Sequence, residues 1–189
     1  MARWRRDATD IEKAAVLSIL CATEDEVVMQ NCLTVFVMEG LPVLQDEVIS
    51  LLEHPCESVQ WLSALVLSFH RDERLRQYGL GRLDDDLHLA LLLLCNSVEV
   101  CDYALIAERV TGCETDDPHA IDSALVDMMK GAGDGSDPFL LAYVYEHSMC
   151  SVCRHEAVRL LIEKDACADW IRDECRHDCR EETRRLVAG

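Results

Sequence analysis

The stretch Glu53-His54-Pro55-Cys56-Glu57-Ser58-Val59 recurs 93 residues later as Glu146-His147-Ser148-Met149-Cys150-Ser151-Val152, with Glu, His, Ser and Val coincident. Ala64 then falls on Ala157. An offset of 93 divides into three units of about 31 residues, the period of a stack of supersecondary units in which no single unit buries its own apolar face. An apolar anchor recurs at Val27, Val59, Leu87, His119 with Ala120, Val152, and Asp178 with Cys179, at spacings of 32, 28, 32, 33 and 26. Five positions after each stands a small or apolar residue: Cys32, Ala64, Leu92, Ala124, Ala157 and Thr183. The approximate units are 8–40, 41–70, 71–96, 97–131, 136–163 and 164–189, read together as one repeat domain, with the last and least regular unit as a cap.

Within the units the apolar spacing is helical. Leu17, Leu20 and Cys21 follow Ala14 on one face, Val43, Val48, Leu51 and Leu52 do much the same, and Leu140, Leu141, Val144 and Tyr145 form another stripe. Alternation of the strand type is nowhere sustained. Breaks fall at Glu39-Gly40-Leu41-Pro42, His54-Pro55, Asp84-Asp85-Asp86, Thr115-Asp116-Asp117-Pro118 and the stretch from Gly131 to Pro138. They supply capping carboxylates, proline near a first helical turn and glycine after a last one. Gly79 and Gly81 sit inside a predicted first helix, which is expected to be short or kinked there.

The turn and second-helix segments resemble those of HEAT-repeat proteins, including the bacterial HEAT-like type. The residues that carry the resemblance are Cys153-Arg154-His155-Glu156-Ala157-Val158-Arg159-Leu160-Leu161, Cys179-Arg180-Glu181-Glu182-Thr183-Arg184-Arg185-Leu186-Val187 and Glu24-Asp25-Glu26-Val27-Val28. The resemblance implies an all-α chain: a right-handed α-solenoid of about six antiparallel helix pairs. It also implies a concave side lined by second helices, in a family used chiefly to bind other proteins.

Charge narrows the partners. The chain carries a formal net charge of −18, and residues 7–149 hold seven Lys and Arg against 27 Asp and Glu, a net of −20. A phosphate-binding surface gains affinity by releasing counterions to Lys and Arg, so nucleic acid and anionic membrane are excluded as ligands. Such a field attracts basic proteins, and it also serves to keep an apolar helical chain in solution. With 50% hydrophobic residues the chain is too apolar for intrinsic disorder.

Eleven cysteines cannot all pair within one chain, and a fold of this size does not need disulfide staples. The basic start, with Arg3, Arg5 and Arg6, leads through Asp7, Asp10, Glu12 and Lys13 and is not a secretory signal. The apolar run Leu87–Cys95 is too short to span a bilayer. These observations predict a cytoplasmic protein with reduced thiols. It is a monomer, or a dimer formed through its less polar first unit.

Two groups of residues are candidates for function. Trp61, Leu65, Leu89 and Leu93, rimmed by Glu57, Asp84, Asp85 and Asp86, are expected to form a partner groove. The alternatives are a central helix covered on several sides and an acidic helix cap at Asp84–Asp86. Cys150-x2-Cys153 with His155, followed by Cys175, His177 and Cys179, offers thiolate and imidazole ligands for a structural zinc. The alternative there is equivalent core positions of two repeats, and the favoured expectation is no cofactor.

The chain carries no G-x-S-x-G, no H-E-x-x-H and no phosphate-cradling glycine loop, so we expect a non-catalytic protein-binding scaffold. The alternatives are an acidic neutraliser of a basic protein, such as an immunity-type inhibitor or DNA mimic, and a HEAT-like bilin lyase. Likeness to a HEAT-like glycosylase fails on charge.

Overall fold

Acidic side chains at the predicted breaks start the helices. In the computed structural model, which describes residues 8–113, 115, 117–132, 135 and 137–188, the Thr9 hydroxyl accepts from the Glu12 N–H at 3.3 Å. The Glu12 carboxylate accepts from the Thr9 N–H at 2.7 Å, which completes a capping box. Asp25, Asp86, Asp117 and Asp137 accept from backbone N–H groups of the turn that follows each of them. Pro118 and Pro138 stand in the first turns after two of these caps. Each such cap stabilises its helix by about 1 kcal/mol. Arg3, Arg5 and Arg6, with Asp116, Gly133, Asp134 and Ser136 from two of the breaks, lie outside the described residues.

Among the described residues twelve helices result: α1 (Asp10–Ala22), α2 (Glu26–Phe36), α3 (Asp46–Ser50), α4 (Glu57–Leu67), α5 (Glu73–Arg82), α6 (Leu87–Leu94), α7 (Tyr103–Thr111), α8 (Pro118–Gly131), α9 (Pro138–His147), α10 (Ser151–Glu163), α11 (Asp169–Cys175) and α12 (Glu181–Leu186). Short 3-10 turns at Leu51–Glu53 and Val100–Asp102 follow α3 and precede α7. There is no strand among the described residues, and none of their helices is long and apolar enough to cross a membrane.

The chain forms two compact bodies, divided between Gln77 and Tyr78. In the first, α2 packs on α1 and α4, and α3 on α1 and α4. Leu33, Phe36, Val48, Leu52 and Val59 are buried there. In the second, α8 packs on α6 and α10, α10 on α12, and α9 on α7, α8 and α10. One apolar cluster runs through it from Leu83 and Leu91 through Leu125 and Met128 to Ile171 and Cys175.

Five of the recurrent small positions, Cys32, Ala64, Ala124, Ala157 and Thr183, are buried, while Leu92 is half-buried. The last anchor, Asp178 with Cys179, precedes α12 rather than opening it.

Helix α5 is not interrupted at its glycines: it runs unbroken for ten residues. Gly79 is buried where α6 approaches, and a Cβ there would lie 3.0 Å from Leu94 Cγ and 3.1 Å from the Ala90 carbonyl oxygen. The missing side chain serves close packing of two helices.

His70 and His88 are half-buried, and burial lowers both imidazoles from their ordinary value of 6.5. Asp72 opposes this at His70, and Asp86 and Asp117 oppose it at His88. The unfolded chain therefore binds protons more readily at these two positions. Their contribution is complete above about pH 6.5 and is lost as the pH falls from there through the lowered folded values. The urea midpoint is expected to fall between about pH 7 and about pH 5.5, and to fall less in a His70→Gln/His88→Gln variant. Equal drops in the two proteins would remove these histidines as the cause.

Candidate functional site

Glu57, Trp61 and Leu65 lie one turn apart along α4 in the first body, with Glu57 exposed and the other two half-buried. Gln30 on α2 joins Glu57, Ser58, Trp61 and Leu62 in lining an open cleft of about 460 Å³. The Gln30 amide donates to Cys56 Sγ at 3.6 Å, which ties α2 to the start of α4. One turn before Gln30, Glu26 and Val27 are exposed, Val27 by 66%. The structure thus brings Glu57 and Trp61 of α4 together with Gln30 of the neighbouring α2 around one cleft.

Leu89 and Leu93 do not face a groove. They are 3% and 0% exposed, in a helix on which Leu87, Ala90, Leu91 and Leu94 are buried as well. An element apolar on all sides is enclosed by its neighbours, so these leucines are interior residues. The three aspartates before α6 have partners within the second body. Asp86 accepts from the Leu89 N–H at 3.0 Å, Asp84 pairs with Arg109, and Asp85 lies 4.0 Å from Arg82.

The second body holds a cluster of metal-ligating side chains. Cys150 is the N-cap residue of α10 and Cys153 lies in that helix's first turn, so the two-residue spacing turns both thiols toward the same helix end. Helix α8 packs alongside and carries His119 in its own first turn. Cys153 Sγ is 3.5 Å from His119 Nδ1, and the ligand atoms of His119, Cys150 and Cys153 all lie within 4.8 Å of one another. Cys153 is buried, Cys150 half-buried and His119 exposed.

One turn beyond His119, the buried Asp122 accepts a hydrogen bond from the Ser148 hydroxyl, whose oxygen accepts the Cys150 N–H at 3.1 Å. A carboxylate, a hydroxyl and the α10 N-cap are thereby linked in one chain of bonds.

The two thiols differ electrostatically. Backbone N–H groups of Cys153 and Val152, pointing out of the helix start, hold Cys150 below the ordinary thiol value, against the effect of burial. Burial pushes Cys153 up to about 12, assisted by its hydrogen bond with Cys150. Burial also raises Asp122. Beside the cluster, Asp122, Ile121, Val110, Tyr143 and His147 help to line a cleft of about 360 Å³. The His147 ring stacks on Tyr143 at 4.3 Å between centroids.

Cys175 and Cys179 do not join this group. Cys175 is buried on α11 and its thiol donates to the Tyr145 hydroxyl at 3.7 Å, while Cys179 is exposed before α12. His155 Nδ1 lies 3.1 Å from the Thr183 hydroxyl, and His177 is exposed. Sequence spacing thus found two of the clustered donors and missed His119. The available signal was the sequence periodicity, in which His119 stands 33 residues before Val152. Comparison of the chain with known protein families, with curated proteins and with solved structures finds no match.

Proposed function

We propose that this chain is a non-catalytic helical-repeat module of the reducing cytoplasm that binds a basic segment of another protein across the α2–α4 face. The solenoid reading, and with it the HEAT-like one, is supported by the order of packing within each body. Second helices of successive pairs are neighbours, α2 with α4 in the first body, and α6, α8, α10 and α12 in sequence in the second. Such a stack presents a row of second helices as a recognition surface.

The observation that carries the choice of face is the cleft containing Trp61, with Glu57 on its edge. Tryptophan supplies a large apolar anchor that accounts for much of the free energy of many interfaces. Glu24, Glu26, Glu47, Glu53 and Glu57 are exposed on this body; of the cations Lys13, Arg71, Arg74 and Arg76 in its described residues, Lys13, Arg74 and Arg76 are engaged with Glu39, Asp46, Asp72 and Glu73, and Arg71 is exposed. The field left over is negative. It complements a Lys- or Arg-rich segment bearing an apolar side chain for the cleft, and it steers encounter more than it tightens the complex.

The test starts from capture with the reduced full-length protein, followed by purification of the captured partner and titration of the isolated pair. Trp61→Glu and Glu57→Lys are each expected to weaken binding by about tenfold or more, and added salt is expected to weaken it further. Binding unchanged in Trp61→Glu rejects this face. A salt-independent affinity rejects the basic partner.

A further inference from the structure

We propose that His119, Cys150 and Cys153 form a binding site for one zinc ion, with the fourth coordination position open to solvent. The inference is independent of the protein-binding reading, since it concerns the second body and a different ligand. Two thiolates and an imidazole are the donor set of zinc sites, and three protein ligands leave one position for water.

One edge of the site already has the length that a tetrahedral ion requires, and the third donor is within reach. A tetrahedral centre with Zn–S of about 2.3 Å and Zn–N of about 2.0–2.1 Å has an S···N edge of about 3.5 Å. Cys153 Sγ and His119 Nδ1 stand 3.5 Å apart, with Cys150 Sγ inside the same 4.8 Å group. Two donors come from one helix start and the third from the packed neighbour α8, so the ion would clip α8 to α10. The surroundings orient the donors as well: Asp122 stands one turn beyond His119 and accepts from Ser148, whose hydroxyl receives the Cys150 N–H. Such outer partners fix ligand orientation at metal centres.

Cobalt(II), added without air to the reduced full-length protein, is the probe. A near-ultraviolet thiolate-to-cobalt band and visible bands of a tetrahedral ion are expected, saturating at a single equivalent and displaced by zinc. Cys150→Ser and His119→Ala, at positions that are not buried, are expected to keep the helical circular dichroism and to bind cobalt weaker by about tenfold or more. Cys175→Ser/Cys179→Ser is expected to bind as the parent does. Absence of the thiolate band in the parent overturns the site, as does a band indifferent to Cys150→Ser and His119→Ala. A band lost in Cys175→Ser/Cys179→Ser with fold retained overturns it in favour of a different ligand set.

Discussion

Replacing Gly40 by alanine is expected to destabilise the protein by about 2–4 kcal/mol, while the same change at Gly81 is expected to stabilise it by about 0.5–1 kcal/mol. Gly40 has φ +75°, a left-handed conformation, and its N–H closes α2 by donating to the Phe36 carbonyl at 2.8 Å. A Cβ at this buried residue would lie 2.6 Å from Phe69 Cβ and 3.0 Å from Phe69 Cγ. Backbone strain and overpacking therefore add. Gly81 lies in α5, where a Cβ meets no atom within 4 Å, and alanine there only reduces the freedom of the unfolded chain. Urea unfolding of both variants with unchanged m-value provides the comparison. A Gly40→Ala protein as stable as the parent would contradict the turn geometry at the end of α2.

The break at Glu39-Gly40-Leu41-Pro42 was readable because glycine and proline act locally, and the same holds for Asp86, Asp117 and Asp137 as helix starts. A cap needs only its own turn, so its signal survives without knowledge of the rest of the fold. Gly79 shows the limit of such local reasoning. Its low helix propensity predicts a bend, but its cost is offset by the approach of α6, which depends on Ala90 and Leu94 many residues away.

The groove residues divide for a related reason. Around Leu87–Leu94 apolar residues occur on every face, so periodicity carries no information about which face is covered, and packing encloses Leu89 and Leu93. Helix α4 keeps Glu57 exposed beside the half-buried Trp61, so a charged residue and an apolar one stand side by side there. The cysteine cluster lies between these cases. Cys150 and Cys153 share a helix start and are linked by short spacing, whereas His119 reaches them only because α8 packs beside α10.

Tyr145→Ala is expected to cost about 3–5 kcal/mol, and Tyr145→Phe only about 1 kcal/mol. Tyr145 is 1% exposed on α9, and three elements converge on its ring. The Arg154 guanidinium from α10 lies 4.7 Å from the ring centroid, the Trp170 ring from α11 is 5.9 Å away, and Cys175 donates to the hydroxyl from the end of α11. The hydroxyl in turn donates to Glu174 at 3.2 Å. Removing the ring leaves a cavity where α9, α10 and α11 meet, while removing only the hydroxyl leaves an exposed carboxylate free to bind water. Hydrogen exchange resolved by segment is expected to show lost protection in α11 for the alanine variant and near-parental protection for the phenylalanine variant. Equal costs for the two would place the stabilisation in the Glu174 bond. In that case α11 would be held by a polar contact and not by packing around the ring, so filling the site with a phenylalanine would not restore its protection.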